Sequence, residues 1–303
     1  MPFTKNTQGA ILMTFAMAGF TCNDALTKSL TDAIPVSQII MVRGVIMTLL
    51  VYIVALKIGA RPHFNVLRQP MVVARVLLEC LAALCFLTAL SHLPLGNISS
   101  IMQSLPLAVT LGAALFLREP VGWRRWSAIT VGFIGVLIIL RPGPEGFSSA
   151  ALFAVAAVFL AAARDLVTKK IGANTASINV TLFTAAGNAL MGGLLIVPYG
   201  GWQPMPGYSF GILTAAAMLL FVGHQSIVLA MRTAEVSFVA PFRYLSLLWA
   251  IGLGMLMFNE KLDPWMVTGA TIVIGSGLYT FYRENKRKSA LLIGQESQPG
   301  SPL

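Results

Sequence analysis

Charge is what this chain is short of: Asp, Glu, Lys and Arg together make up 11% of 303 residues, against the quarter or so of an ordinary soluble domain. That scarcity excludes a water-soluble globular fold. Cysteine is scarce too, and Cys22, Cys80 and Cys85 all sit in apolar stretches without zinc-ligand spacing, so neither a disulfide framework nor a metal site is indicated. Also missing are Gly-x-Ser-x-Gly, His-Glu-x-x-His and a P-loop, which removes the machinery of an intramembrane hydrolase or an ATP-driven pump. No small-residue cleavage site follows the first apolar stretch, which is therefore expected to be a retained helix and not a signal peptide. Loops are too short for a soluble domain.

What remains is oil. Hydrophobic residues account for 56% and mean hydropathy is +0.78. About 20 apolar residues cross a hydrocarbon core, and ten such spans can be drawn: 8–28, 35–56, 71–92, 94–117, 122–140, 148–168, 176–197, 207–230, 235–258 and 264–282. The polar tail beyond Arg283 reads as disordered.

One motif occurs twice. Asp24-Ala25-Leu26-Thr27-Lys28 returns 141 positions later as Asp165-Leu166-Val167-Thr168-Lys169, and the same shift carries Arg118-Glu119 onto Asn259-Glu260. A shift of 142 carries Trp123, Gly135 and Arg141 onto Trp265, Gly277 and Arg283. Ten spans in two copies give five per copy, and an odd number inverts the second copy in the membrane. The expected fold is all-α and polytopic: two inverted five-helix repeats, residues 1–147 and 148–303. Inverted repeats belong mainly to carriers, with channels and membrane enzymes as the other classes.

With the amino terminus in the cytoplasm, fourteen Lys and Arg fall in cytoplasmic segments and three outside, which places both termini in the cytoplasm. The net charge of +10 thus serves topology and anionic lipid headgroups and needs no nucleic acid.

Charges inside spans cost about 2.5–3.5 kcal/mol each, so each should meet a cavity or a partner. Arg75 and Glu79 are four apart on one helical face and can pair. Arg43 and Arg243 are embedded in spans 2 and 9, and Pro241 breaks the helix beside Arg243 and Tyr244. The pairs Asp24–Lys28 and Asp165–Lys169 also share helical faces, near opposite membrane surfaces; they either gate the two sides or anchor helix ends. His224 sits in the middle of span 8, where it either carries a coupling proton or bonds a neighbouring helix. Gln103 adds an uncharged hydrogen-bonding group in span 4. Substrate-binding candidates are thus Asp24, Arg43, Glu79, Gln103, His224, Arg243 and Tyr244. Glu119 and Glu260 close spans 4 and 9, where a structural role at the junction is expected.

These residues bring a family into view. Asn23-Asp24-Ala25-Leu26-Thr27-Lys28, Arg43-Gly44, Arg118-Glu119-Pro120 and the run Gly132 to Pro142 together resemble the bacterial drug/metabolite transporter superfamily, of the ten-helix EamA type. Val239 to Leu245, with Arg75 and Trp123-Arg124-Arg125-Trp126, is similar to the branch of S-adenosylmethionine uptake carriers. The resemblance implies a bacterial inner-membrane carrier, not an enzyme, with a cavity between repeats and alternating access. Its expected partners are a small polar substrate, zwitterionic or carboxylate-bearing, and the lipid bilayer, with a coupling proton and a homodimer left open. Riboflavin import and amino-acid or metabolite export are the alternatives within the family; a sensor or a membrane enzyme lies further off. No cofactor is implied.

Overall fold

Within hydrocarbon every backbone N–H and C=O must be satisfied inside the chain, which leaves helices as the means of spanning for a chain of continuous apolar runs. A computed structural model describes residues 4–60, 63–119, 122–141, 148–171 and 175–296, with backbone only for 236, 237 and 284–296. Among them there are helices and turns but no strand. The helices are α1 (Lys5–Lys28), α2 (Val36–Lys57), α3 (Pro70–His92), α4 (Leu95–Met102), α5 (Leu105–Phe116) and α6 (Trp123–Leu140). They continue as α7 (Ser149–Thr168), α8 (Ser177–Leu195), α9 (Gly207–Thr233), the short α10 (Val236–Val239), α11 (Leu245–Phe258) and α12 (Pro264–Glu296). Taking α4 with α5 as one segment, and Ala240 through α11 as another, nine segments among the described residues are long and apolar enough to cross a membrane. The tenth expected span is the first part of α12, which packs along α6. The chain is a multi-pass membrane protein.

Local chemistry sets the boundaries. Thr4 and Ser148 cap the starts of α1 and α7 by accepting the N–H three residues on, each at 3.2 Å. Prolines stand at or just before the first residue of α2, α3, α4, α9 and α12, where the missing N–H costs nothing. At the far end of span 4, Arg118 takes φ 54° and the Glu119 N–H reaches back to the Ala113 carbonyl at 3.2 Å; 141 residues on, Asn259 takes φ 50° and the Glu260 N–H reaches Gly254 at 3.1 Å. Both are left-handed caps of the same form.

Two features depart from the sequence reading. Span 4 is not continuous but breaks at Gln103–Ser104, whereas the break expected at Pro241 in span 9 is present as a 3₁₀ turn, Ala240–Tyr244. Pro106, the second residue of α5, ends the preceding helix at this turn in span 4. The segment beyond Arg283, expected to be disordered, continues α12 as helix to Glu296, in keeping with the helix propensity of its Lys, Arg, Glu, Ala and Leu residues. Residues 297–303 of the tail lie outside the described residues.

The most extensive helix pairings all join a helix before residue 142 to one after 147. They are α1–α9, α2–α8, α3–α7 and α6–α12, followed by α1–α11 and α5–α7, then α3–α8, α2–α9 and α4–α11. Exchanging α1 with α7, α2 with α8, α3 with α9, α5 with α11 and α6 with α12 maps all of these but α4–α11 onto one another. Glycine permits the closest crossings. A Cβ on Gly135 of α6 would stand 2.8 Å from the Gly269 carbonyl of α12, and one on Gly192 of α8 would stand 2.7 Å from the Ser37 carbonyl of α2.

Candidate functional site

A cavity of about 560 Å³ opens where α1, α2, α3, α7, α8, α9 and the broken spans meet. Its size falls in the range of about 300–1,000 Å³ usual for small-molecule sites. Most of the intramembrane polar residues converge on it. Asp24, Arg43, Glu79, Gln103, His224 and Arg243 line it, as do Arg75 and Asp165.

Charge pairing inside it differs from the four-residue spacing expected of the sequence. Glu79 pairs with Arg164 of α7 at 2.6 Å and not with Arg75, and Arg164 also holds Asp165 at 2.7 Å. Arg75 instead donates to two hydroxyls, Thr168 at 3.1 Å and Thr184 at 2.7 Å. The reason is packing: α3 lies against α7 and α8, whose side chains offer Arg75 and Glu79 better-placed partners than each other. On the opposite wall, the Asn23 amide donates to Asp24 at 2.9 Å and accepts from Arg43 at 3.5 Å. Neither Asp24 nor Arg43 meets an opposite charge in an ion pair among the described residues. Arg243 likewise faces the cavity with no ion pair or side-chain hydrogen bond among them.

The two helix breaks face one another here. Gln103, at the break of span 4, donates to the Ser246 hydroxyl at 2.8 Å, and that hydroxyl donates to the Arg243 carbonyl at 3.0 Å, joining a carbonyl of the span-9 turn to the break opposite. His224 bonds its own helix through Nδ1 and the Leu220 carbonyl, 2.9 Å, and stands edge-on to Phe20 with ring centroids 5.0 Å apart. Its other ring nitrogen makes no hydrogen bond among the described residues. Tyr244 is not among the cavity-lining residues; its ring packs against Gly277 of α12. In a 3₁₀ turn successive side chains point about 120° apart, so Arg243 and Tyr244 cannot share a direction.

The lysines of the repeated motif leave their aspartates for distant glutamates. Lys28 donates to the Leu90 and Leu93 carbonyls at the end of α3 and lies 3.9 Å from Glu260, whose carboxylate accepts the Leu95 N–H that opens α4, at 2.8 and 2.9 Å. Cation on a helix C-terminus and anion on a helix N-terminus both suit the helix dipoles. Together they clamp the α3–α4 turn. The counterparts 141 residues away, Lys169 and Glu119, are 4.0 Å apart but 55% and 53% exposed, against 14% and 16% for Lys28 and Glu260. The first pair is half-sealed from solvent and its counterpart is exposed.

Sequence reading passed over three of the polar groups here. Arg164 is a cation inside span 6, and its position 141 residues after Asn23 is the signal that points to it. Asn188 of α8 lines the cavity with a buried carboxamide oxygen that has no partner among the described residues. Ser246 carried no signal, because a lone serine in a span usually bonds its own helix. No group of three or more metal-ligating side chains occurs among the described residues.

Residues 7–141 match the EamA-like transporter family. Among curated relatives, a riboflavin transporter of Vibrio cholerae is 27% identical over 92% of this chain and 95% of its own. An S-adenosylmethionine uptake transporter of Rickettsia felis is 28% identical over 65% and 66%. A pseudopaline exporter of Pseudomonas aeruginosa is 26% identical over 88% and 93%. A solved crystal structure covers 89% of this chain and 95% of its own with a TM-score of 0.62 at 16% identity, a likeness that establishes fold alone.

Proposed function

Since residues 7–141 match the EamA-like transporter family and the relatives are named as transporters, we propose that this protein is a secondary carrier of a small zwitterionic or carboxylate-bearing metabolite across the bacterial inner membrane. The observation that carries the substrate class is the unmatched charge of the cavity: Arg43 and Arg243 without a carboxylate, and Asp24 without a cation, in a space of about 560 Å³. A carboxylate meets the two guanidiniums and a cationic group meets Asp24. S-adenosylmethionine has that combination. Riboflavin, the substrate in the name of the Vibrio relative, would lean on aromatic faces, of which Phe20 and Phe86 are the phenyl rings here. Residues 1–147 and 148–303 act as the two inverted repeats, with both termini in the cytoplasm. Transport proceeds by alternating access, a reading supported by helix pairings that, α4–α11 apart, map onto one another and by one sheltered clamp beside one exposed. His224 is the residue placed to carry a coupling proton.

Purified protein in liposomes decides the matter. Saturable uptake of labelled S-adenosylmethionine is expected, and a pH gradient changes its rate if His224 couples a proton. Flux that never saturates indicates a channel, and no flux of S-adenosylmethionine, methionine or riboflavin removes the carrier reading.

A further inference from the structure

We propose that Asn23 is a specificity-determining spacer that keeps Asp24 and Arg43 from closing on each other, so that this wall of the cavity is a subsite for a head group bearing an ammonium beside a carboxylate. The inference rests on the carrier reading and names where one end of the substrate binds.

Asn23 is 2% exposed, at the cavity wall, with Arg43 on its oxygen and Asp24 on its nitrogen. A guanidinium can only donate and a carboxylate can only accept, so this amide orientation alone satisfies both neighbours. Without it, the cation of α2 and the anion of α1, which line the same cavity, would meet directly, and a bidentate Arg–carboxylate pair would consume the groups a ligand needs. With it, Arg43 keeps most of its five N–H donors and Asp24 keeps its second oxygen.

The other half shows what happens without the spacer. The position 141 residues after Asn23 is Arg164, which closes on both Asp165 and Glu79; the position after Arg43 is Thr184, which accepts from Arg75. On that wall the charges satisfy one another. Among the described residues the Asn23 wall offers an unpaired cation and an unpaired anion side by side, with Arg243 as a further guanidinium that has neither an ion pair nor a side-chain hydrogen bond.

The polarity of the amide defines the ligand. Its oxygen faces Arg43 and its nitrogen faces Asp24, the order in which the carboxylate and ammonium of one amino-acid head group would lie. Asn23 is an uncharged copy, within the protein, of the group it prepares the wall to receive.

The test uses three probes that share an adenosyl thioether or sulfonium and differ at the head. Binding to the full chain in nanodiscs is measured for S-adenosylmethionine, S-adenosylhomocysteine and 5′-methylthioadenosine, the last lacking both ammonium and carboxylate. S-adenosylhomocysteine is expected to bind within about threefold of S-adenosylmethionine, and methylthioadenosine at least about tenfold more weakly, as fits the loss of one or more charge-assisted hydrogen bonds. Asn23→Ala is expected to erase that preference, weakening the first two by about tenfold while leaving methylthioadenosine unchanged. Equal binding of all three to the unmodified protein overturns the subsite without any variant having to fold. An equal loss of all three in Asn23→Ala overturns the spacer. Saturable riboflavin transport with no binding of the head-bearing probes leaves the carrier reading standing and ends this one; absence of saturable flux for every compound ends the carrier reading itself.

Discussion

At the scale of single residues, cavity charges differ in what removal would do. The Arg243 side chain has no ion pair or hydrogen bond among the described residues to strand a partner, so Arg243→Ala should leave folding intact and raise KM for a carboxylate-bearing substrate by about tenfold or more. Uptake kinetics in liposomes beside a thermal unfolding curve will separate the two effects. Glu79 is the opposite case. It and Asp165 share the charge of Arg164, so Glu79→Gln should lower stability by about 1–3 kcal/mol, read as an earlier unfolding transition in detergent. The identities of these residues were legible in the sequence because a charge in an apolar span stands out. Their partners were not. Spacing of four on a helix puts Arg75 near Glu79, but a helix face says nothing about Arg164 on a different helix that offers a better donor.

Elements were legible in another proportion. Runs of apolar residues located the spans to within a few positions, and proline and the capping Thr and Ser account for where most of them start. The breaks were half visible. Pro241 announced the turn in span 9, whereas the signal for Gln103–Ser104 lies just beyond it, in Pro106 at the second position of α5, whose ring and missing N–H stop the preceding helix. Close crossings were not visible, since a glycine in a span gives no sign of which helix it meets. Gly192 meets the backbone of Ser37 and Met41, which cannot move aside as a side chain could. Gly192→Val should therefore cost about 1–3 kcal/mol through overpacking, measured as lost thermal stability and lower yield of folded protein. Gly252→Val, where a Cβ would meet nothing within 4 Å, is the matched control and should be close to neutral.

For the whole molecule, the clamps make alternating access testable. Lys28→Cys with Glu260→Cys, in a chain freed of its three native cysteines, should cross-link through two disulfides with a short bis-methanethiosulfonate and stop transport, and reduction of those disulfides should restore it. Glu119→Cys with Lys169→Cys should stop transport in the same reversible way from the other face. Transport that continues through either cross-link would mean that clamp never opens. Lys28 and Glu260 lie in opposite halves of the chain, as do the partners in every one of the largest helix pairings. That separation bears on how the protein is made. The first five spans leave the ribosome with their contact faces still open to lipid, and most acquire a neighbour only as the later spans arrive. Membrane quality control would therefore meet a long-lived half-built intermediate, and the α3–α4 turn would stay unlatched until nearly the last span had been delivered.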